Sequence, residues 1–354
     1  MKTIVVINGL ARGGTNLAAN LLAAQEGWHV SDAAIAEIAC IDQFLPTDFI
    51  NHYPKSLSYA EVRVMVDGAL ERFKARCVEK LVQTVCPSYH SIKTKYHAHI
   101  GSYYGVPIDT WGKYLAEIAA IPSFDDLENV YQRLAETIRC TVLAHRTTAL
   151  SSYAPAFLSR SKHHYWIEVV RDPFDRAVSS RRGHAQCLAQ SFLQSKWQLD
   201  HLKRANGENF IAVNYEDLCV NPRQCFERIS EILGVRSHAF SSVPVTPDLS
   251  HFSGNSSRNP DIFNQVATEV PIYRDSIGSG EALAKRERRL GESILAGRRS
   301  LPIYLSILAL ADACHWLASS LRKGSIVFLS LNYLSIAREF GWRKALQRCM
   351  GRFS

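Results

Sequence analysis

The stretch VVINGLARGGTNLAANLL, residues 5–22, constrains the fold of this chain most. The β-branched run TIVVIN, residues 3–8, reads as a buried parallel strand, and breaker-free helical residues resume from Leu17 to Gln25. A strand, loop and helix joined in this way bring successive backbone N–H groups to a helix start, where the dipole favours negative charge. Gly9 and Gly14 keep the GxxxxG spacing of a phosphate loop, but Thr15 and Asn16 stand where an ATPase carries its lysine and hydroxyl residue. The cation of the loop is Arg12, whose guanidinium can fork onto two oxygens of a phosphate or sulfate. The competing reading is a glycine-rich turn that holds no ligand.

Similar strand patterns recur at residues 88–93, 141–144, 164–170 and 210–214, most of them followed by helix-like segments. This alternation predicts an α/β protein with a doubly wound parallel sheet. Residues 42–140 are mostly helical in pattern, with turn signals at Pro46, Pro87 and Pro107, and form a predicted insertion that shapes a substrate cleft. Nine cysteines without CxxC or zinc spacing read as reduced thiols, and the N-terminal pattern is not that of a secretory signal, so a cytoplasmic location is expected. The formal net charge of +8 favours an anionic partner without naming it.

Two later stretches bear on the same anion. WIEVVRDPFDRAVSSRR, residues 166–182, is a strand ending at Arg171 followed by a helix that places Ser179 eight residues on. FIAVNYEDLCVNP, residues 210–222, is a strand ending in Tyr215, Glu216 and Asp217. Taken singly, Arg171 reads as a surface ion-pair partner and Tyr215 as a core aromatic. In order and spacing, the chain from residue 3 to about 275 resembles sulfotransferases that use 3′-phosphoadenosine 5′-phosphosulfate (PAPS), nearest the bacterial and Golgi type.

The resemblance implies a P-loop NTPase-like three-layer fold with a central parallel sheet, a helical insertion and a helical C-terminal extension. It implies that RGGTN, from Arg12 through Gly13, Gly14 and Thr15 to Asn16, grips the 5′-phosphosulfate, with Gly13 and Asn16 in place of the family's hydroxyl residues. Arg171 and Ser179 then match the 3′-phosphate ligands, Tyr215 lies by the adenine, and Arg258 in HFSGNSSR (residues 251–258) is a further 3′-phosphate ligand. Arg146, followed by Thr147 and Thr148, falls at the family's lysine and is expected to stabilise charge on the leaving oxygens. The resemblance implies sulfuryl transfer to a hydroxyl without a metal, and no metal site is expected; as acceptor, a carbohydrate or lipid-linked glycan suits the family. For the general base the order is Asp32, His145, Glu37 and His97.

The alternatives are a P-loop kinase or NTPase, disfavoured by the missing lysine, and a nucleotide-binding protein without turnover. The domains expected are a sulfotransferase domain over residues 1–280 and a basic, apolar helical extension over 281–354. Residues 301–321 are largely apolar between basic segments, which suits an interfacial helix at an anionic membrane surface or one packed on the core. No nucleic-acid partner is expected, and the oligomeric state is left open.

Overall fold

The computed structural model describes residues 1–23, 25–44, 57–85, 106, 108–148, 150–184, 188–205, 207–235 and 277–297. The predicted strand at 88–93, His97, Arg258 and the apolar stretch 301–321 lie outside the described residues. By contact the chain divides into two units, residues 1–171 with 201–274, and residues 172–200 with 275–354.

The first unit is an α/β structure on a parallel five-stranded sheet. Its strands are β1 (Thr3–Gly9), β2 (Trp28–Ser31), β3 (Val142–Arg146), β4 (His164–Val170) and β5 (Phe210–Asn214), in the order β2-β3-β1-β4-β5. Four of these fall on runs whose β-branched and aromatic residues predict them. The fifth, β2, has four residues and is not signalled by pattern, because WHVS is too short to show a period. The chain runs from β1 outward to β2, returns through β3, then crosses to β4 and β5 on the other side. That reversal beside β1 is the point at which a doubly wound sheet opens a crevice at the carboxyl ends of its strands.

Helix α1 (Thr15–Ala23) follows β1, and α2 (Ala36–Phe44) follows β2. The predicted helical insertion contains α3 (Tyr59–Asp67), α4 (Leu70–Val85), α5 (Ile108–Ala120) and α6 (Leu127–Thr137). Helix α3 starts where Ser58 and Glu61 form a capping box: the Glu61 amide donates to Ser58 Oγ at 3.3 Å and the Ser58 amide to Glu61 Oε2 at 2.8 Å. Alternation along β1 turns Ile4 and Val6 toward the insertion, where they share a core with Phe73, Trp111, Phe124 and Tyr131. Each such aromatic contributes roughly 1.5–3 kcal/mol by leaving water. Val5 and Ile7, equally buried, point to the opposite face, the side on which a right-handed crossover places α1. The sheet is therefore covered on both faces. After β3 comes the short α7 (Ala154–Leu158), and after β5 come α10 (Tyr215–Val220) and α11 (Pro222–Leu233).

The second unit contains α8 (Pro173–His184), most of α9 (Leu188–Arg204) and α12 (Lys285–Leu295). Leu283, Leu290 and Ile294 pack with Ala177, Val178 and Phe192. The carboxylate of Asp175 accepts from the Gly278 and Gly280 amides at 2.7 and 2.6 Å, tying the start of the extension to α8. The basic segment from Lys285 thus carries an apolar face that is already buried. Among the described residues no helix is long and apolar enough to cross a membrane.

Candidate active site

Parallel pairing brings the ends of four strands to one edge of the sheet. Ile7 lies beside Arg146, Ser31 beside His145, and Gly9 beside Val169. The loop after β1, Asp32 after β2, Arg146 at the end of β3 and Arg171 just after β4 all follow from that register.

The loop is tightly built. The Gly13 amide donates to the Leu10 carbonyl at 2.8 Å, and Arg12 sits in the left-handed region at φ 66°. For a non-glycine residue that conformation costs about 1 kcal/mol, and such strain concentrates at binding sites. Gly14 has φ 98°, and a Cβ there would lie 2.1 Å from Cδ2 of Tyr215. Only glycine lets the loop close on that ring. Helix α1 then begins at Thr15 with no acidic residue in its first turn, which leaves its positive dipole end uncompensated by its own side chains.

Arg171 joins the loop to the end of β5. Its Nη1 donates to the Arg12 carbonyl at 3.1 Å, and its guanidinium carbon lies 4.5 Å from the Tyr215 ring centroid. Both side chains are buried. The structure thus brings Arg12, Gly13, Gly14, Thr15, Asn16, Arg171 and Tyr215 to one place in the first unit. Ser179 lies on α8 in the second unit and is partly exposed.

A second group forms at β2 and β3. Arg146 Nε donates to Asp32 Oδ1 at 2.8 Å while Nη2 contacts Asp32 Oδ2, a bidentate pair. The Arg146 side chain is 7% exposed and that of Asp32 16%, so the carboxylate is the more accessible partner. His145, adjacent in sequence, turns inward: its Nδ1 accepts from the Ile35 amide at 2.9 Å, which puts the proton of the neutral ring on Nε2. Burial holds its pKa down to about 3. Glu37 faces elsewhere, its carboxylate paired with Arg160 in full burial and Arg160 lying over the Phe124 and Tyr131 rings. Burial raises the Glu37 carboxyl despite that partner. Breaking one side of such a pair costs about 3–5 kcal/mol, which marks Glu37 as a structural group.

A polar knot that local sequence pattern does not signal joins the end of β1 to β4. Asn8 Nδ2 donates to Glu168 Oε2 at 2.8 Å and to Ser151 Oγ at 3.0 Å. Trp166 Nε1 donates to Glu168 Oε2 at 2.8 Å and Ser151 Oγ to Glu168 Oε1 at 2.9 Å, while Asn8 Oδ1 accepts from the Leu150 amide at 3.1 Å. The knot fixes Asn8, the residue that leads into Gly9 and the loop. Its signal in the sequence is an amide and a carboxylate inside otherwise apolar strands, which pairing places side by side.

Two histidines predict an acid sensitivity. Burial lowers His145 to about 3 and His29 to about 4, from 6.5. Below pH 6.5 the unfolded chain therefore binds protons that the folded chain excludes, so stability falls as pH falls. At pH 5 each site withdraws about 2 kcal/mol. The thermal midpoint should drop between pH 7 and pH 5, and His145→Asn, which keeps an acceptor for the Ile35 amide, should remove about half of the drop. An unchanged pH slope in that variant would contradict the assignment.

No protein-family model and no curated protein matches the sequence. Among solved structures, the chain is similar to the sulfotransferase domain from the Synechococcus PCC 7002 olefin synthase, at 14% identity over 82% of this chain and 93% of that one, TM-score 0.45. It is similar to the sulfotransferase domain from the curacin biosynthetic pathway, at 14% identity over 83% and 97%, TM-score 0.44. A sulfotransferase from Mycobacterium avium is similar at 15% identity over 67% and 65%, TM-score 0.32.

Proposed function

We propose that the chain is a PAPS-dependent sulfotransferase that moves the sulfuryl group in line to an acceptor hydroxyl of a carbohydrate or lipid-linked glycan. The observation that carries the reading is the convergence of the strained Arg12 loop, Arg171 and the Tyr215 ring, with the Arg146–Asp32 pair at the neighbouring strand ends. A cationic loop at a helix start suits the phosphosulfate, Arg171 the 3′-phosphate, and Tyr215 the adenine. Ser179 and Arg258 are assigned to the same 3′-phosphate on the sequence resemblance alone.

Sulfuryl transfer through a loose transition state asks for positioning and charge stabilisation. Arg12 and the loop amides hold the donor, and Arg146 stabilises charge on the leaving oxygens. Asp32 takes the acceptor proton. Its carboxylate is held by Arg146 until the phosphosulfate competes for that guanidinium, which frees an oxygen as the donor arrives. His145 is disfavoured as base because Nδ1 is occupied and Nε2 already carries a proton.

The testing experiment is incubation with sulfur-labelled PAPS and fractionated acceptors. Label recovered on a glycan fraction supports the full reading; tight binding of PAPS without transfer to any fraction favours the non-catalytic alternative.

We propose that the basic, apolar extension over residues 281–354 associates with an anionic membrane surface through the part beyond Gly297, the alternative being that its helices pack on the core. A chain ending at Gly297 keeps the apolar contacts of Leu283, Leu290 and Ile294. It should bind PAPS as the full chain does and lose sedimentation with vesicles containing phosphatidylserine. Full-length protein that ignores such vesicles at low salt would refute the assignment.

A further inference from the structure

We propose that Cys40 on α2 and Cys77 on α4 are a redox-active pair, which a peroxide converts to a disulfide joining the insertion to the helix that follows Asp32. The two sulfurs lie 3.0 Å apart although the residues are 37 positions apart in sequence. Both side chains are fully buried. Cys40 Sγ lies 3.8 Å from the Glu37 carbonyl and Cys77 Sγ 3.7 Å from the Ala36 carbonyl, so each thiol has an acceptor on the first turn of α2 while the sulfurs face each other. A disulfide at about 2.05 Å needs closure on the order of 1 Å from this arrangement, within reach of small side-chain rotations. Cys140, by contrast, donates to the carbonyl of Ala135.

Metal binding does not account for the pair. Among the described residues no group of three His, Cys, Asp or Glu side chains is placed to hold an ion. The sulfurs lie instead in an apolar seam with Ala36, Phe73 and Leu81, where α2 meets α4. Helix α2 begins four residues after Asp32, and its Glu37 is fixed by Arg160. A cross-link there ties the insertion to an element that already has a second anchor.

The chemistry balances with one equivalent of hydrogen peroxide. One sulfur, as thiolate, attacks a peroxide oxygen; the O–O bond breaks, and a sulfenic acid and one water form once the thiol proton is counted. The second sulfur then attacks the sulfenic sulfur, the S–O bond breaks, and the second water leaves with the remaining thiol proton. Two thiols lose two electrons, and the peroxide gains them. Burial, reinforced by the neighbouring Cys40 thiol, pushes the Cys77 thiol up, so oxidation proceeds through transient opening of α4 and is slow.

The test uses full-length protein treated with hydrogen peroxide, alkylated without reduction and digested with trypsin. Cleavage at Arg12, Lys55, Arg76 and Lys80 isolates the two cysteines on separate peptides, residues 13–55 and 77–80. The expected result is a joined peptide pair that disappears on reduction and is absent from Cys77→Ser, together with a rise of roughly 5 °C in the thermal midpoint of the oxidised protein. Peptides recovered unlinked, both from native protein oxidised with peroxide and from protein refolded in oxidised glutathione, would overturn the proposal. This readout does not involve sulfuryl transfer, so it stands or fails independently of the proposed function.

Discussion

Replacing Asp32 by Asn should lower turnover at least about 100-fold while leaving the affinity for PAPS within a few-fold of wild type. Asparagine keeps the size of the side chain and one acceptor oxygen for Arg146, but it cannot take the acceptor proton. Because the lost charge is negative and sits against Arg146, donor binding should if anything tighten. If turnover survives in Asp32→Asn and collapses in His145→Asn, the base has been assigned to the wrong side chain, although the donor site would be unaffected.

Arg171→Ala is the second large effect. On the proposed function Arg171 serves the 3′-phosphate, and in the structure it holds the loop through the Arg12 carbonyl and the Tyr215 ring. Removing it deletes charge-assisted contacts of about 1.5–3 kcal/mol, a weakening of roughly 10- to 150-fold in the affinity for 3′-phosphoadenosine 5′-phosphate. Arg171→Lys keeps the charge but not the planar fork, and should fall between the two. Equal affinity in wild type and Arg171→Ala, measured by calorimetry on folded protein, would remove Arg171 from the site.

Much of this arrangement can be read from the sequence where local pattern and function coincide. The β1 run, the glycine pair and Arg12 are contiguous, so strand, turn and anion chemistry appear together in one window. Strands β4 and β5 match their predicted bounds because each is a β-branched or aromatic run ended by a turn. Strand β2 is hidden because four residues carry no period, and its place is fixed by pairing with β3. The knot of Asn8, Ser151, Trp166 and Glu168 is hidden for a different reason: its members come from three separate segments, and only the parallel register joins them. The contrasting roles of Asp32 and Glu37 are also invisible locally. Both are acidic residues after β2, and burial against Arg160 rather than exposure beside Arg146 separates them.

On the proposed function, the crevice at the end of β1 recognises a nucleotide bearing both a 5′-phosphosulfate and a 3′-phosphate. Calorimetric titration of the full-length protein with 3′-phosphoadenosine 5′-phosphate, adenosine 5′-phosphosulfate and ATP tests it most directly. Tight binding of the first is expected, with the second and third weaker by at least about tenfold because they lack the 3′-phosphate assigned to Arg171. ATP binding as tightly as 3′-phosphoadenosine 5′-phosphate, or no heat from either, would contradict it.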